Sequence, residues 1–358
     1  MLKTLLQVPG AYLFRLIGWP RTPPMSLTLS VTFRCNSRCR TCNVYNRISP
    51  ELTVDEWSRV FRSLGRAPAW ITISGGEPFL RQDLKELVVS LYDICRPAII
   101  NIPTNGLLTD RIPGIVTDLT RHCRGTQVVV NVSIDDIRER NDLIRGVPGS
   151  YERATATFKA LKAIQAPNLT VGIHTVISIY NVHRIPEIYD HLQTLGPDSY
   201  ITEIAEERHE LGTINSGITP GLEEYARAVD FLVSRMKQTG YRRVGRLTRA
   251  FRMEYYNLVK DILRQKRQVI PCFAGFASAH IAPGGDVWLC CIKAEPVGNL
   301  REAHYDFASV WNSREAREMR SDIKKRRCYC PLANASYTNI LYDLPRLFKV
   351  GCRFACLD

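Results

Sequence analysis

Residues 27–42 read LTLSVTFRCNSRCRTC. From Leu27 to Phe33, apolar residues alternate with threonine and serine, which is the period of a β-strand. This predicted strand leads directly into three cysteines on one short loop, Cys35, Cys39 and Cys42. Three thiolates at this spacing can bind one compact metal cluster, and cysteine is the usual ligand of a [4Fe–4S] cluster.

The cysteine loop supplies one ligand fewer than such a cluster needs. A [4Fe–4S] cluster takes four ligands, so three cysteines leave one iron open to a substrate or cofactor. A structural zinc site is the alternative, but it normally takes four protein ligands, and no fourth cysteine or histidine lies near Cys42 in the sequence. The loop also follows the first predicted strand, and barrel active sites gather where strands end.

Strands and helices alternate beyond this loop. A capping box at residues 53–56, TVDE, begins the first helix of the alternation. Further strands are predicted at residues 70–74, 98–103, 128–134, 169–179 and 200–204, and helices near residues 83–94, 109–121, 150–165, 182–195 and 220–238. Six strand–helix units predict an α/β fold with either a parallel sheet or a barrel.

The composition narrows the function classes. The chain has 358 residues, a net charge of +13 and twelve cysteines. The charge favours anionic partners, or else it is a solvated basic face without a partner. No zinc-finger or RNA-binding motif is present, so no nucleic acid is expected. The first residues lack the features of a signal peptide, so we expect a reducing, cytoplasmic compartment, where clustered cysteines bind metal.

Four more motifs follow the predicted strands. Residues 74–78 read SGGEP after the second strand, and residues 103–106 read PTNG at the end of the third. Residues 133–136 read SIDD at the end of the fourth, and residues 145–150 read RGVPGS. Paired glycines let a backbone approach closely, and the carboxylate of Glu77 can pair with an ammonium group.

The cysteine loop and the SGGEP motif together resemble the radical S-adenosylmethionine (SAM) superfamily. The signature of this family is C-x3-C-x2-C after the first strand of a partial (βα)6, TIM-like barrel, and the resemblance implies this fold here. The resemblance implies that Cys35, Cys39 and Cys42 hold a [4Fe–4S] cluster and that the SGGEP loop meets the amino group of SAM. Ser133 and Arg145 would help to bind the ribose and the carboxylate. The implied cofactor-binding residues are Gly75, Gly76, Glu77, Thr104, Asn105, Ser133, Asp135 and Arg145.

One position departs from the family pattern. The residue before the third cysteine is often aromatic in the family and packs on adenine, but here it is Thr41. Tyr45, three residues beyond Cys42, is a candidate to replace it.

The resemblance also implies an oxidoreductase-like reaction. The cluster is reduced by one electron, SAM on its open iron is cleaved to a 5′-deoxyadenosyl radical, and this radical abstracts hydrogen from an unactivated carbon. A reducing protein such as flavodoxin or ferredoxin is the implied partner. A non-catalytic iron–sulfur electron carrier is the rival class, and it would need no SGGEP loop.

A second group of cysteines lies near the C-terminus. Cys272, Gly285 and Cys290 fit C-x12-G-x4-C, which resembles the opening of the SPASM and twitch extensions that carry auxiliary iron–sulfur clusters. A complete SPASM module continues C-x2-C-x5-C-x3-C, whereas this chain has only Cys328 and Cys330 before a long gap. The resemblance implies one auxiliary [4Fe–4S] cluster on Cys272, Cys290, Cys328 and Cys330.

The other cysteines have weaker assignments. Cys291 is the alternative to Cys290 as a ligand. Cys352 and Cys356 either support a second auxiliary cluster or are free thiols on a frayed tail, which is the expectation. Cys95 and Cys123 are predicted to be small buried hydrophobes.

Four segments follow from these patterns. Residues 1–24 form an amphipathic segment, and residues 25–240 form the partial barrel. Residues 241–271 form a basic helical bridge, and residues 272–358 form the SPASM/twitch-like auxiliary cluster domain.

The N-terminal segment suggests a membrane surface. Within residues 1–20, leucines and aromatic residues surround only two basic residues, Lys3 and Arg15, and Pro9-Gly10 is predicted to separate two helical pieces. Short helices of this kind lie in a bilayer interface, whereas no stretch reaches the ~20 apolar residues that span one. We therefore expect a peripheral enzyme at the inner face of the membrane; packing of this segment over the open side of the barrel is the alternative.

The expected substrate is a lipid or lipid-linked molecule, with a peptide or sugar as the alternative. Peptide-modifying members of the family often carry a peptide-recognition domain of their own. The 24 residues before the first strand are too few for one.

Overall fold

The computed structural model describes residues 2–238, 243–325 and 328–355. The helices are α1 Leu2–Ile17, α2 Val54–Leu64, α3 Leu84–Cys95, α4 Ile112–His122, α5 Glu139–Arg145, α6 Ser150–Lys162, α7 Ile185–Gln193, α8 Leu222–Gln238, α9 Arg243–Gln265, α10 Phe307–Trp311, α11 Arg314–Lys324, α12 Ala333–Tyr342 and α13 Leu344–Ala355. The strands are β1 Ser26–Thr32, β2 Trp70–Gly75, β3 Ile99–Thr104, β4 Gln127–Ser133, β5 Leu169–Ile177, β6 Ser199–Ile204, β7 Ser278–Ile281, β8 Asp286–Trp288 and β9 Pro296–Asn299.

The strands form a nine-stranded sheet in the order β6-β5-β4-β3-β2-β1-β7-β8-β9. Strands β1 to β6 pair in parallel with helices between them, which confirms the predicted (βα)6 unit. The C-terminal extension continues the same sheet, because β7 pairs in parallel with β1 through Thr28 and His280. Strands β8 and β9 then complete it as antiparallel neighbours.

The two faces of the barrel sheet differ in polarity. On β1, Leu27, Leu29 and Val31 are fully buried among the surrounding apolar core. The opposite face carries polar side chains that bond across strands: Asn131 Nδ2 donates to Asn101 Oδ1 at 2.8 Å. Alternation along parallel strands produces these two faces. The polar inner face can therefore hold a polar cofactor and substrate.

Helix α2 ties the barrel to the extension. Thr53 and Glu56 form the predicted capping box at its start. The Glu56 carboxylate also accepts a hydrogen bond from Arg301 Nε at 2.6 Å and one from the Tyr305 hydroxyl at 2.9 Å. The Arg301 guanidinium is the main reason that the pKa of Glu56 falls to about 2. This contact fixes the orientation of the extension on the barrel.

The N-terminal segment corrects one prediction. Residues Leu2–Ile17 form a single helix that runs through Pro9, and not two pieces. Tertiary packing offsets the lost hydrogen bond at proline, because Phe14 is buried against Phe276 and Trp311 at ring-centroid distances of 5.4 and 6.4 Å. None of the described helices combines the length and apolar composition that crossing a bilayer requires.

The predicted basic bridge contains helix α9, and one side of this helix is buried. Tyr255 and Tyr256 of α9 are fully buried. Glu254, also buried, pairs with Arg346 at 2.7 Å and with Arg353 at 3.0 Å. Helix α9 therefore packs into the core against α13. The predicted boundary at residues 240 and 241 lies outside the described residues.

Candidate active site

Cys35, Cys39 and Cys42 lie together on the loop after β1, at the carboxyl edge of the sheet. The N–H of Cys42 donates to the Cys39 carbonyl at 3.1 Å, and the Ser37 N–H donates to Cys35 Sγ at 3.4 Å. Burial raises the pKa of all three thiols, to about 12 for Cys42, where the nearby Cys39 sulfur adds to the increase. Three half-buried thiols on one short loop suit one cluster, whose binding would release their protons.

The cysteine loop is fixed to the end of α5. The N–H groups of Arg38 and Arg40 donate to the carbonyls of Arg145 and Ile144 at 3.0 and 2.8 Å. Gly146 has φ +65°, and a Cβ there would lie 2.1 Å from the Arg38 carbonyl oxygen. The RGVPGS segment therefore supports the cysteine loop directly.

The paired glycines of the SGGEP loop pack against the same cysteine loop. The Gly76 N–H donates to the Thr32 carbonyl at 2.7 Å. A Cβ on Gly75 would lie 2.0 Å from that carbonyl oxygen, and one on Gly76 would lie 2.2 Å from the Arg34 carbonyl oxygen. Their close approach is thus to the protein backbone, a purpose that sequence reasoning missed. Direct contact of these glycines with SAM stays a prediction.

Glu77 organises the ends of β2 and β3. Its buried carboxylate accepts hydrogen bonds from the Asn105 N–H at 2.6 Å, the Thr104 hydroxyl at 2.9 Å and the Phe79 N–H at 3.2 Å. Burial raises the pKa of Glu77 to about 7. Asn105 Nδ2 in turn donates to Asn36 Oδ1 at 2.7 Å, next to Cys35. The structure therefore brings Glu77, Thr104 and Asn105 together beside the cysteine loop.

Arg145 places a cation beside the sulfur of Cys39. Its Nη1 lies 3.7 Å from Cys39 Sγ, and its Nε lies 2.9 Å from Asp135 Oδ2. Asp135 is itself held by the Val176 N–H at 2.8 Å. Within the described part of the chain, the buried Nη2 of Arg145 has no hydrogen-bond partner. An unpaired guanidinium N–H can donate to the carboxylate of SAM. Asp135 holds the guanidinium of Arg145 in place through the ion pair.

Two other predicted positions have less support. Ser133 lies half-buried at the carboxyl end of β4, where a cofactor could reach it. The ring of Tyr45 lies under the Arg38 guanidinium, 4.5 Å from its centroid, so one ring face is already covered. Packing of Tyr45 on adenine stays a prediction.

The C-terminal cysteines converge on a cavity beside α9 and α12. Cys272, Cys290, Cys328 and Cys330 all line it. Burial raises the pKa of Cys272 to about 12, and the neighbouring Cys290 and Cys328 add to the increase. Four cysteines on the wall of one cavity match the number of ligands that one auxiliary cluster needs.

Cys291 lines the same cavity as these four cysteines, and its sulfur lies 3.3 Å from His280 Nδ1. Cys95 and Cys123 are buried in the core, as predicted. Cys352 is exposed on α13, and Cys356 lies outside the described residues.

Two family models match the chain. One, described as the radical SAM superfamily, matches residues 29–192, and the other, an iron–sulfur cluster-binding domain named SPASM, matches residues 272–331. The chain therefore contains a radical SAM domain followed by a SPASM domain. Its cofactors are therefore SAM and [4Fe–4S] clusters.

Two individual proteins are similar to this chain at 27–30% sequence identity. Fe-coproporphyrin III synthase of Methanosarcina barkeri is 30% identical over 216 residues, 58% of this chain and 51% of the relative. The chain thus spans about half the length of that protein. PqqA peptide cyclase of Bradyrhizobium diazoefficiens is 27% identical over 316 residues, 82% of this chain and 74% of the relative. Both are named as enzymes.

A solved structure shows the same fold. Streptococcus suis SuiB bound to the precursor peptide SuiA aligns with a TM-score of 0.63 at 15% identity. The alignment covers 86% of this chain and 69% of SuiB, so it includes both the barrel and the extension.

Proposed function

We propose that this radical SAM chain cleaves SAM reductively and abstracts hydrogen from a carbon of a peptide substrate. The observation that carries the proposal is the placement of Arg145 beside Cys39, with its Nη2 unpaired among the described residues, next to a loop that offers three sulfurs to one cluster. An electron carrier has no need of a buried, unpaired guanidinium donor beside its cysteine loop.

The residues of the chain divide the work at this site. When bound, the reduced cluster supplies the electron that converts SAM to methionine and a 5′-deoxyadenosyl radical. Arg145 donates to the carboxylate of SAM, and Asp135 holds the guanidinium in place. Glu77 keeps Asn105 against the cysteine loop, and its remaining lone pairs can accept from the amino group of SAM.

The site also excludes water. Phe33, Val44 and Trp288 form a buried apolar group that packs against Cys35 and Cys42. A dry environment protects a reactive radical from side reactions. The supporting contacts come from both domains, because Trp288 belongs to the extension.

The auxiliary cysteines suggest an electron path. Cys272, Cys290, Cys328 and Cys330 would hold one cluster that accepts or delivers an electron during substrate oxidation. A flavodoxin or ferredoxin is the proposed external reductant.

A peptide is the substrate class with the broadest support. The match to PqqA peptide cyclase extends over 82% of the chain and so includes the extension, whereas the match to the porphyrin-modifying relative covers 58%. The fold likeness to SuiB, solved with a precursor peptide, agrees with this class.

A lipid or lipid-linked substrate is the second candidate. Helix α1 and the turn after it expose Leu16, Ile17 and Trp19, by 63%, 65% and 71%. Apolar side chains next to basic ones bind bilayer interfaces. If this candidate is right, the protein co-sediments with anionic liposomes at low salt, and replacing these three residues by serine abolishes it. Exposed Leu143, on α5, provides the matched control Leu143→Ser.

The substrate class is tested by turnover of the reduced, reconstituted enzyme. Short peptides encoded beside its gene and a total lipid extract are supplied separately, and 5′-deoxyadenosine is measured. We expect stimulation by peptide, with deuterium transferred from a labelled peptide into 5′-deoxyadenosine. Stimulation by the lipid extract alone would replace the peptide with the second candidate.

A further inference from the structure

Three side chains of metal-binding type meet beside the auxiliary cysteine cavity, whose wall includes Cys291. Glu210 follows β6, His280 lies on β7 and Cys291 follows β8, and their ligand atoms all lie within 4.8 Å of one another. His280 Nδ1 is 3.3 Å from Cys291 Sγ and 3.8 Å from Glu210 Oε1. Ligand atoms arranged tetrahedrally around zinc at its usual bond lengths lie roughly 3.3–3.6 Å apart. The distance between Cys291 and His280 already fits such a site, and the Glu210 oxygen would move closer to complete it.

The outer atoms of two of these ligands already have partners. His280 Nε2 lies 2.8 Å from Ser30 Oγ, and Glu210 Oε2 lies 3.5 Å from Arg208 Nη1. When the serine accepts from Nε2–H, the lone pair of the imidazole is on Nδ1, facing the thiol. Metal-binding histidines and carboxylates are typically oriented in this way by outer partners.

The loops that carry these side chains are bonded to their surroundings. The Asn43 N–H donates to the Leu211 carbonyl at 2.8 Å, and Arg47 Nη1 donates to the Glu210 carbonyl at 3.0 Å. The His209 N–H donates to the Ile292 carbonyl at 3.1 Å, which joins the Glu210 loop to the Cys291 loop. A site on supported loops holds its geometry before the ligand arrives.

Cys291 is available for this purpose because the auxiliary cluster has four other cysteines. Together with burial, Cys290 and Cys328 contribute to the raised pKa of the Cys272 thiol. Cys291 contacts His280 and lies near the Glu210 carboxylate. One thiolate, one imidazole and one carboxylate are a zinc ligand set, and three protein ligands leave a fourth position for water or a substrate oxygen.

We propose that Glu210, His280 and Cys291 bind one divalent transition-metal ion, for which zinc is the probe, at a site separate from both iron–sulfur clusters. The site is independent of the substrate class proposed above. It adds a Lewis-acidic position on the polar inner face of the sheet, next to Ser30.

Zinc content and zinc coordination test this proposal. The holoenzyme is reconstituted with iron and sulfide, supplied with one equivalent of zinc and desalted, and both metals are then measured by mass spectrometry. Zinc-edge X-ray absorption, which the iron does not obscure, reports the ligands. We expect about one zinc per chain, with a single sulfur at about 2.3 Å and the other ligands nitrogen or oxygen.

Variants assign the ion to its ligands. Cys291→Ser and His280→Gln should each lower zinc occupancy at least tenfold while the iron content stays that of the parent. Cys352→Ser, which removes an exposed thiol on α13, should change neither metal. Thermal unfolding of each variant shows that it is folded.

Three results would overturn the proposal. A zinc-free parent with full iron content would leave a hydrogen-bonded cysteine–histidine pair only. Zinc with four sulfur ligands would be in the auxiliary cysteine cavity. Loss of iron on Cys291→Ser would make Cys291 a cluster ligand instead.

Discussion

The guanidinium Nη1 of Arg145 lies 3.7 Å from the sulfur of Cys39, although 106 residues separate them in the chain. The end of α5 thus provides both a backbone support for the cysteine loop and a cation next to it. We therefore expect cluster binding and SAM binding to depend on the same short segment.

Replacing Arg145 by glutamine should weaken SAM binding. Loss of a charge-assisted hydrogen bond costs roughly 1.5–3 kcal/mol, or about 10- to 100-fold in the dissociation constant. Isothermal titration of the reconstituted enzyme with SAM measures this. The control is Arg140→Gln, an exposed arginine on the same helix, which should bind SAM like the parent. Equal affinity of both variants would remove Arg145 from the SAM site.

Gly146→Ala should disturb the cysteine loop. The added Cβ would lie 2.1 Å from the Arg38 carbonyl oxygen, so the loop has to move. Gly149→Ala is the matched control, because Gly149 also has positive φ, +70°, but a Cβ there would meet no neighbouring atom within 4 Å. We expect Gly146→Ala to lose about four irons per chain, one [4Fe–4S] cluster. Full iron content in both variants would contradict this role.

Glu77 should make the free energy of unfolding of the apoprotein depend on pH. Burial raises its pKa from 4.5 to about 7, so the folded state holds this proton more tightly than the unfolded state does. Stability from this group is therefore present below pH 4.5 and is lost as the pH rises to about 7. The free energies of unfolding of the parent and of Glu77→Gln, measured with denaturant, should diverge between pH 4.5 and about pH 7. A difference between the two that is constant from about pH 4.5 to about pH 8 would contradict the raised pKa.

Iron content tests the assignment of the cysteines. Two [4Fe–4S] clusters correspond to about eight irons per chain, and replacing Cys35, Cys39 and Cys42 together by alanine should leave about four. About twelve irons in the parent would show a third cluster and would point to the C-terminal tail as the source of its ligands.

Local signals made much of this fold and site predictable. The alternation from Leu27 to Phe33 and the cysteine spacing after it are properties of adjacent residues, and both the strand and the loop form as expected. The capping box at Thr53 and Glu56 also forms.

The features that escaped prediction depend on contacts between distant residues. The pairing of His280 with Thr28 joins the extension to the barrel and creates the site near Cys291. Helix α1 runs through Pro9 because Phe14 packs on the extension. Near the proposed site of Glu210, His280 and Cys291, the sequence offered two local signals. These were a second cysteine directly after Cys290 and a carboxylate soon after β6.

Formation of 5′-deoxyadenosine under reducing, anaerobic conditions tests the central claim most directly. The reconstituted parent protein should convert SAM to 5′-deoxyadenosine and methionine when dithionite or reduced flavodoxin is supplied. Cys39→Ala should abolish this product, because the remaining two thiols of the loop cannot hold a cluster with one open iron. Undiminished 5′-deoxyadenosine from the Cys39→Ala protein would contradict the account.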